Sequence, residues 1–197
     1  MFEYLAIWSA KRGRAQPWAM VAILSVTTAV LSAFLDNVTT VLLIAPVTLA
    51  VTRELDVPPY PFLFSEIFAS NIGGTATLIG DPPNIIIGSA AGLSFNDFVL
   101  ELTPVILIVL AVQTFAIHLI WGRKMHATAE ARARVMALNE RDMVTDAKLL
   151  RYALLVIACV VAAFIAARAL HMEAGTIALM GGAVLMLLHN LEHHAEK

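Results

Sequence analysis

A single cysteine occurs in 197 residues, which excludes an internal disulfide. Cys159 lies inside an apolar run and reads as a small packing residue. Charge is also scarce: Asp, Glu, Lys and Arg make up 14% of the chain against 59% hydrophobic residues. A mean hydropathy of +0.80 lies outside the balance of a soluble domain and points to lipid as solvent. There is no basic excess either. Thirteen Lys and Arg against fifteen Asp and Glu give a formal charge of -2, so nothing calls for nucleic acid as a partner. The opening "MFEYLAIWSAKRGRAQP" is amphipathic and lacks the basic region, apolar core and small-residue site of a cleavable signal peptide, so none is expected.

Long apolar runs are what the chain does have. Pro17 to Leu35, Leu102 to Gly122 and Ala174 to Leu191 contain no Asp, Glu, Lys or Arg, and each is near the ~20 residues a helix needs to cross ~30 Å of hydrocarbon. Tyr152 to Ala167 is slightly short and spans if Arg168 snorkels. Basic residues cluster at Lys11, Arg12 and Arg14, at Arg53, and from Arg123 to Arg151. The positive-inside rule therefore places residues 1–16, 53–60 and 123–150 on the cytoplasmic side. The loop from Gly88 to Glu101 has two acids and no base, and is expected on the opposite face.

Pro17 to Leu35 and Val38 to Thr52 are both apolar, both flanked by cytoplasmic charge, and separated only by Asp36 and Asn37. Two helices meeting at such a tip have no loop to reach the far surface. A re-entrant hairpin is predicted over 17–53. Lipid cannot satisfy backbone groups freed at its tip, so the tip must be buried in protein or line a watery cavity.

A second interruption is "ASNIGGTATLIGDPPNIIIGS", Ala69 to Ser89. A helix from about Pro61 to Ser70 runs into Asn71, Gly73 and Gly74, then Pro82 and Pro83, which cannot donate helix hydrogen bonds. The apolar run resumes at Ile85. This predicts one discontinuous span over 60–91, with an unwound linker at mid-membrane. Interrupted apolar segments of this kind mark a secondary transporter's binding site. Asp36 and Asp81, at about 2.5 to 3.5 kcal/mol each in mid-membrane, read either as part of an ion or proton path or as caps of the helices that follow them. Glu66, on the half-helix before Asn71, is a third carboxylate for charge coupling.

"SAFLDNVTTVLLIAPV" (Ser32 to Val47) and "SEIFASNIGGTATLIGDPPNIII" (Ser65 to Ile87) resemble the first repeat of the ion transporter superfamily. The branch is that of arsenite permeases, NhaD-type sodium/proton antiporters and the P protein, related to citrate and dicarboxylate carriers. The resemblance implies an all-α polytopic membrane protein, half of an inverted-repeat transporter, moving substrate by an elevator motion as a homodimer. It implies that sodium and substrate are held at Asn37 of the tip and at Gly73 and Gly74 of the broken helix, with sodium at Asn37 and Gly73; beside them Thr39, Thr40, Asn71, Thr75 and Asn84 are expected to bind ion or substrate. Asp36, Asp81 and Glu66 would couple charge to protons or sodium, without a cofactor, and the setting would be a bacterial inner membrane. Of the Ser-Asn-Thr triplet in the dicarboxylate carriers only Asn37 survives, its neighbours being Asp36 and Val38. Two added negative charges disfavour a dianion and favour antiport-like chemistry.

On this reading residues 1–122 are the first repeat, with a span at 102–122, 123–150 the linker, and 151–197 the first two spans of an incomplete second repeat. A second hairpin and broken helix are missing, which suggests a fragment. The linker stretch "ATAEARARVMAL" predicts a solvated interfacial helix. "GGTATLIGDPPN" lacks the Gly-Lys-Ser/Thr ending of a phosphate loop. His189, Glu192 and His193 spell the inverted metallopeptidase pattern without a third ligand. His118 and the Met-rich "LMGGAVLML" read as packing. A transporter is the function expected, not an enzyme. The rivals are a non-transporting membrane remnant or scaffold and an intramembrane metalloenzyme.

Overall fold

A computed structural model describes residues 10–137, 147–170 and 172–195, all in helices, turns and short connections with no strand among them. Two compact units are present, one of Met1–Leu93 with Asp97–Met143, the other of Ser94–Asn96 with the described residues beyond Val144.

The first unit is built on a helical hairpin. Helix α1 (Pro17–Ser32) starts on a proline, tolerated there because the first helical N–H has no partner to lose. After a turn over 33–36, α2 (Asn37–Glu54) begins with Asp36 as its cap. Helix α3 (Tyr60–Gly74) runs back along α1, and α4 (Pro82–Ala91) follows an unwound segment. The helix before that segment is longer than the sequence predicts. Asn71, Gly73 and Gly74 are helical, and the break is confined to residues 75–81. The glycines serve close packing against α1 and only then release the helix, and the prolines start α4 at its first turn.

Helix α5 (Phe95–Trp121) also begins earlier than expected, so the loop before it is short, from Gly92 at φ 68° to Ser94. Asp97 and Glu101 lie in its first turns, where carboxylates suit the helix dipole. Of the described helices this one alone is long and apolar enough to cross a membrane by itself, at 27 residues. A 3₁₀ turn, Gly122–Lys124, leads to α6 (Ala129–Ala137).

Small residues form the contact between α1 and α3, the packing mode of helices that share a lipid solvent. A Cβ on Gly73 would land on the Ala29 backbone. Buried Ala29 and Ala69 pack with Leu110 of α5. Toward the base of the hairpin a larger cluster gathers Met20, Leu24, Val51, Leu55, Phe62 and Ile117. Helix α6 joins this cluster through fully buried Val135. Its Arg134 reaches the Glu54 carbonyl at 3.0 Å and the Asp56 carboxylate at 2.7 Å, and Arg132 donates to the Arg14 carbonyl. The helix expected to be solvated is therefore docked by one face. The stretches 1–9 and 138–146, parts of the expected cytoplasmic regions, lie outside the described residues.

In the second unit α7 (Ala147–Ile165), the short α8 (Ala167–Leu170) and α9 (Ala174–Ala195) follow in order. Helices α7 and α9 pack with Gly181 set against the Val160 side chain. The side chains of Arg168, His189, Glu192 and His193 lie outside the described residues.

Candidate functional site

The turn of the hairpin and the break after α3 come together. Asn37 donates through Nδ2 to Asn71 Oδ1 at 2.8 Å, while its own Oδ1 accepts the Val38 N–H at 2.9 Å. Asn71 in turn donates back to the Ile67 carbonyl, one helical turn earlier. Both asparagine amides are thereby oriented, and both residues keep solvent exposure. Thr75, half-buried, donates to the Asn71 carbonyl at 2.9 Å.

The unwound segment is held from inside. Buried Asn84, at the start of α4, points its amide at the carbonyls of Thr77 (2.8 Å), Gly74 (3.3 Å) and Thr75 (3.4 Å). These are carbonyls left free where α3 ends, and in a lipid setting each needs a partner from the protein. Thr77 Oγ1 donates to the Ala33 carbonyl in the hairpin turn and accepts the Gly80 N–H at 3.1 Å. Ser32 Oγ closes the same seam by donating to the Ser70 carbonyl at 2.7 Å. Gly80 passes so near Gly74 that a Cβ would stand 2.5 Å from the Gly74 carbonyl oxygen.

The carboxylates are placed differently from one another. Asp36 accepts the Thr39 N–H at 2.9 Å and so caps α2. Asp81 flanks α4 without a side-chain cap and is half-buried. Glu66 is away from the tip, 1% exposed, and accepts from Thr48 Oγ1 of α2 at 2.5 Å. Thr39 is exposed, whereas Thr40 is buried with a hydroxyl that has no partner. Gly73 lies two residues past Asn71, and a Cβ there would meet the Ala29 backbone, so Gly73 serves the seam between α1 and α3.

Sequence reasoning passed over Ser32, Thr77 and Gly80. Thr77 and Gly80 stand inside the polar stretch itself and could have been proposed from it. Ser25 was also missed: its Oγ lies 2.5 Å from Ser65 Oγ, which also accepts from Gln113 Nε2 at 3.2 Å. Its signal is the spacing Ser25, Ala29, Ser32, small residues on one helical face. Among the described residues no group of three His, Cys, Asp or Glu side chains could hold a metal ion.

The hairpin tip is thus bonded to the broken helix, on a frame of apolar helices. The chain matches the citrate transporter family over residues 1–196, and it belongs to that family. It is 46% identical over 192 residues to a "46 kDa membrane protein" of Mycobacterium leprae, covering 98% of this chain and 45% of that protein. An uncharacterized transporter of Mycobacterium tuberculosis is 48% identical over 191 residues, 97% of this chain and 44% of its own length. The human P protein is 43% identical over 131 residues, 64% of this chain and 16% of that protein. The chain thus spans less than half the length of these relatives. It is an integral membrane protein of a transporter family.

Proposed function

We propose that this chain is the first half of a secondary active transporter that moves ions or small anions, with the polar tip as half of its substrate site. The observation that carries the reading is the Asn37–Asn71 bond, which joins the hairpin turn to the broken helix at the point where both interrupt lipid-facing helices. Asparagine amides at such a junction offer one acceptor oxygen and two donors each, suited to an anion's oxygens or to a cation. A sodium ion at the tip would take the side-chain oxygen of Asn37 with backbone carbonyls near Gly73, and a proton would be the other coupling ion. Asp36 and Asp81 supply the negative field at the tip.

The remaining half-site comes from a second, inverted repeat in the complete protein, a reading supported by the mycobacterial relatives, of which this chain covers 44% and 45%. The hairpin is re-entrant, residues 1–16, 53–60 and 123–150 face the cytoplasm, and the carrier works as an elevator-type homodimer in a bacterial inner membrane. Transport rather than catalysis is its activity.

The complete protein, purified and reconstituted in liposomes, should move at least one of labelled citrate, arsenite or sodium when a pH or sodium gradient is imposed. Flux of all three at the level of empty liposomes would overturn the proposal in favour of a non-transporting membrane module.

A further inference from the structure

Among the described residues, nine of the eleven buried polar ones lie in α1, α2 and α3, and eight of those nine are serines or threonines. The ninth is Glu66. Thr40, Thr48 and Thr52 of α2 recur at intervals of four or eight, so one face of that helix is hydroxyl-lined. Glu66 faces this stripe from α3.

An ionised carboxylate presents about four lone-pair positions. Glu66 has one of its oxygens engaged, Oε1 by Thr48, and Oε2 is buried with no hydrogen-bond partner. Among the described residues no counter-charge is paired with it. Helix α1 carries no titratable residue. The charged residues of α2 are Arg53 and Glu54, exposed at its far end, with Glu54 taken by Arg134. Helix α5 carries Asp97, Glu101 and His118, and the His118 ring is packed against Trp18 with centroids 4.2 Å apart. A bare carboxylate held this way carries a desolvation penalty that a single neutral donor does not return. A protonated carboxyl carries no such cost. Packing alone would be met by Gln or Leu at this position, so a titratable group calls for a use.

The geometry points to Glu66 as a proton-carrying site distinct from the polar tip, binding one proton while the seam between α2 and α3 is closed and releasing it when that seam is wetted. In the first state a proton from water forms an O–H bond at Oε2. In the second that bond breaks, the proton returns to water, and the carboxylate is hydrated. Asp36 has Oδ1 engaged in capping α2 and lies at the tip, whereas the buried second oxygen of Glu66 has no hydrogen-bond partner. This assignment rests on the transporter reading, yet the protonation itself can be read without any transport.

Dicyclohexylcarbodiimide, a lipid-soluble reagent for protonated carboxylic acids, would be applied to the complete protein in lipid nanodiscs, and adducts located by peptide mass spectrometry. Glu66 should be modified at about pH 6 and less by about tenfold or more at about pH 9, as the protonated fraction of a carboxylic acid falls. Thr48→Val removes the hydrogen bond to Oε1, so labelling of Glu66 at about pH 9 should exceed that of wild type. Absence of an adduct at about pH 6, an adduct indifferent to pH, or one suppressed by millimolar sodium would overturn the proton site. In liposomes, Glu66→Gln, nearly isosteric, should keep citrate counterflow and lose about tenfold or more of uptake driven by a pH gradient. Unchanged pH-driven uptake would overturn the coupling role. A wild-type protein that labels with the expected pH profile but moves no solute would overturn the transporter reading and leave the protonation site standing.

Discussion

Replacing Gly73 by alanine sets two effects of opposite sign against each other. In a helix interior the change removes glycine's backbone freedom and should stabilise by about 1 kcal/mol. Here the added Cβ would meet the carbonyl oxygen and Cα of Ala29 and stand 2.6 Å from its carbonyl carbon. Ordinary carbon contacts lie at about 3.5 to 4.0 Å, so the helices must part by about 1 Å. All three obstructing atoms are backbone, and no rotamer change can relieve the overlap. Overpacking of a well-packed seam costs about 1 to 3 kcal/mol, with backbone clashes at the upper end. The loss should outweigh the gain. A 1 Å separation would also carry the Asn37–Asn71 bond, now 2.8 Å, beyond hydrogen-bonding range. Gly182→Ala supplies the control, because no heavy atom lies within 4 Å of its added Cβ. Thermal unfolding of the complete protein in detergent should show a lower Tm for Gly73→Ala and an unchanged or higher Tm for Gly182→Ala. If Gly73→Ala melted at or above wild type, the close approach of α1 and α3 would be refuted.

Asn84→Ala leaves the carbonyls of Gly74, Thr75 and Thr77 without their shared amide, at about 1 to 3 kcal/mol, and backbone hydrogen exchange should accelerate over residues 75–81 with little change in the base of the hairpin. Equal protection in wild type and variant would show that the clasp does not hold the break closed. Asp81→Asn should abolish gradient-driven flux in the complete protein while membrane insertion is intact, and normal flux with unchanged coupling would remove Asp81 from its assigned role.

Interruptions stand out in this chain because membranes make them costly. Asp36-Asn37 and the Gly and Pro residues from Gly73 to Pro83 are conspicuous among apolar runs, and they locate both breaks to within a few residues. Where each break begins is less readable. Asn71, Gly73 and Gly74 have poor helix propensity, yet they stay helical, because the packing of Gly73 on Ala29 is a tertiary contact that propensity does not contain. The same limit applies to Ser32, Thr77 and Ser25. Their hydroxyls bond between the hairpin and the broken helix, to residues 38 to 44 positions away; the polar stretch around Thr77 and the small-residue face shared by Ser25 and Ser32 mark them out, but nothing local names those partners. Glu66 could be singled out as an intramembrane acid, but its distance from the tip and its partner Thr48 depend on how α2 lies against α3. The docked face of α6 was similarly hidden, since its composition suits solvent and docking equally.

Asp36 can be tested as cap and as charge separately, because two substitutions divide those roles. Its carboxylate accepts the Thr39 N–H, one of the orphan donors at the start of α2. Asparagine caps helices as well as aspartate does, whereas alanine at this position costs about 1 kcal/mol. Asp36→Asn should therefore melt close to wild type and Asp36→Ala about 2 °C lower. Flux divides the other way. If the charge sets the coupling, both variants lose gradient-driven transport, and the well-folded Asp36→Asn protein loses it without a stability defect. If the residue serves as cap alone, Asp36→Asn transports normally and only Asp36→Ala is impaired. The adjacent Asn37 makes the comparison local, since a frayed α2 would also displace its amide from Asn71. Loss of transport in Asp36→Asn with its Tm retained is the expected result. Retained transport there would leave Asp81 and Glu66 as the carboxylates that can carry coupling.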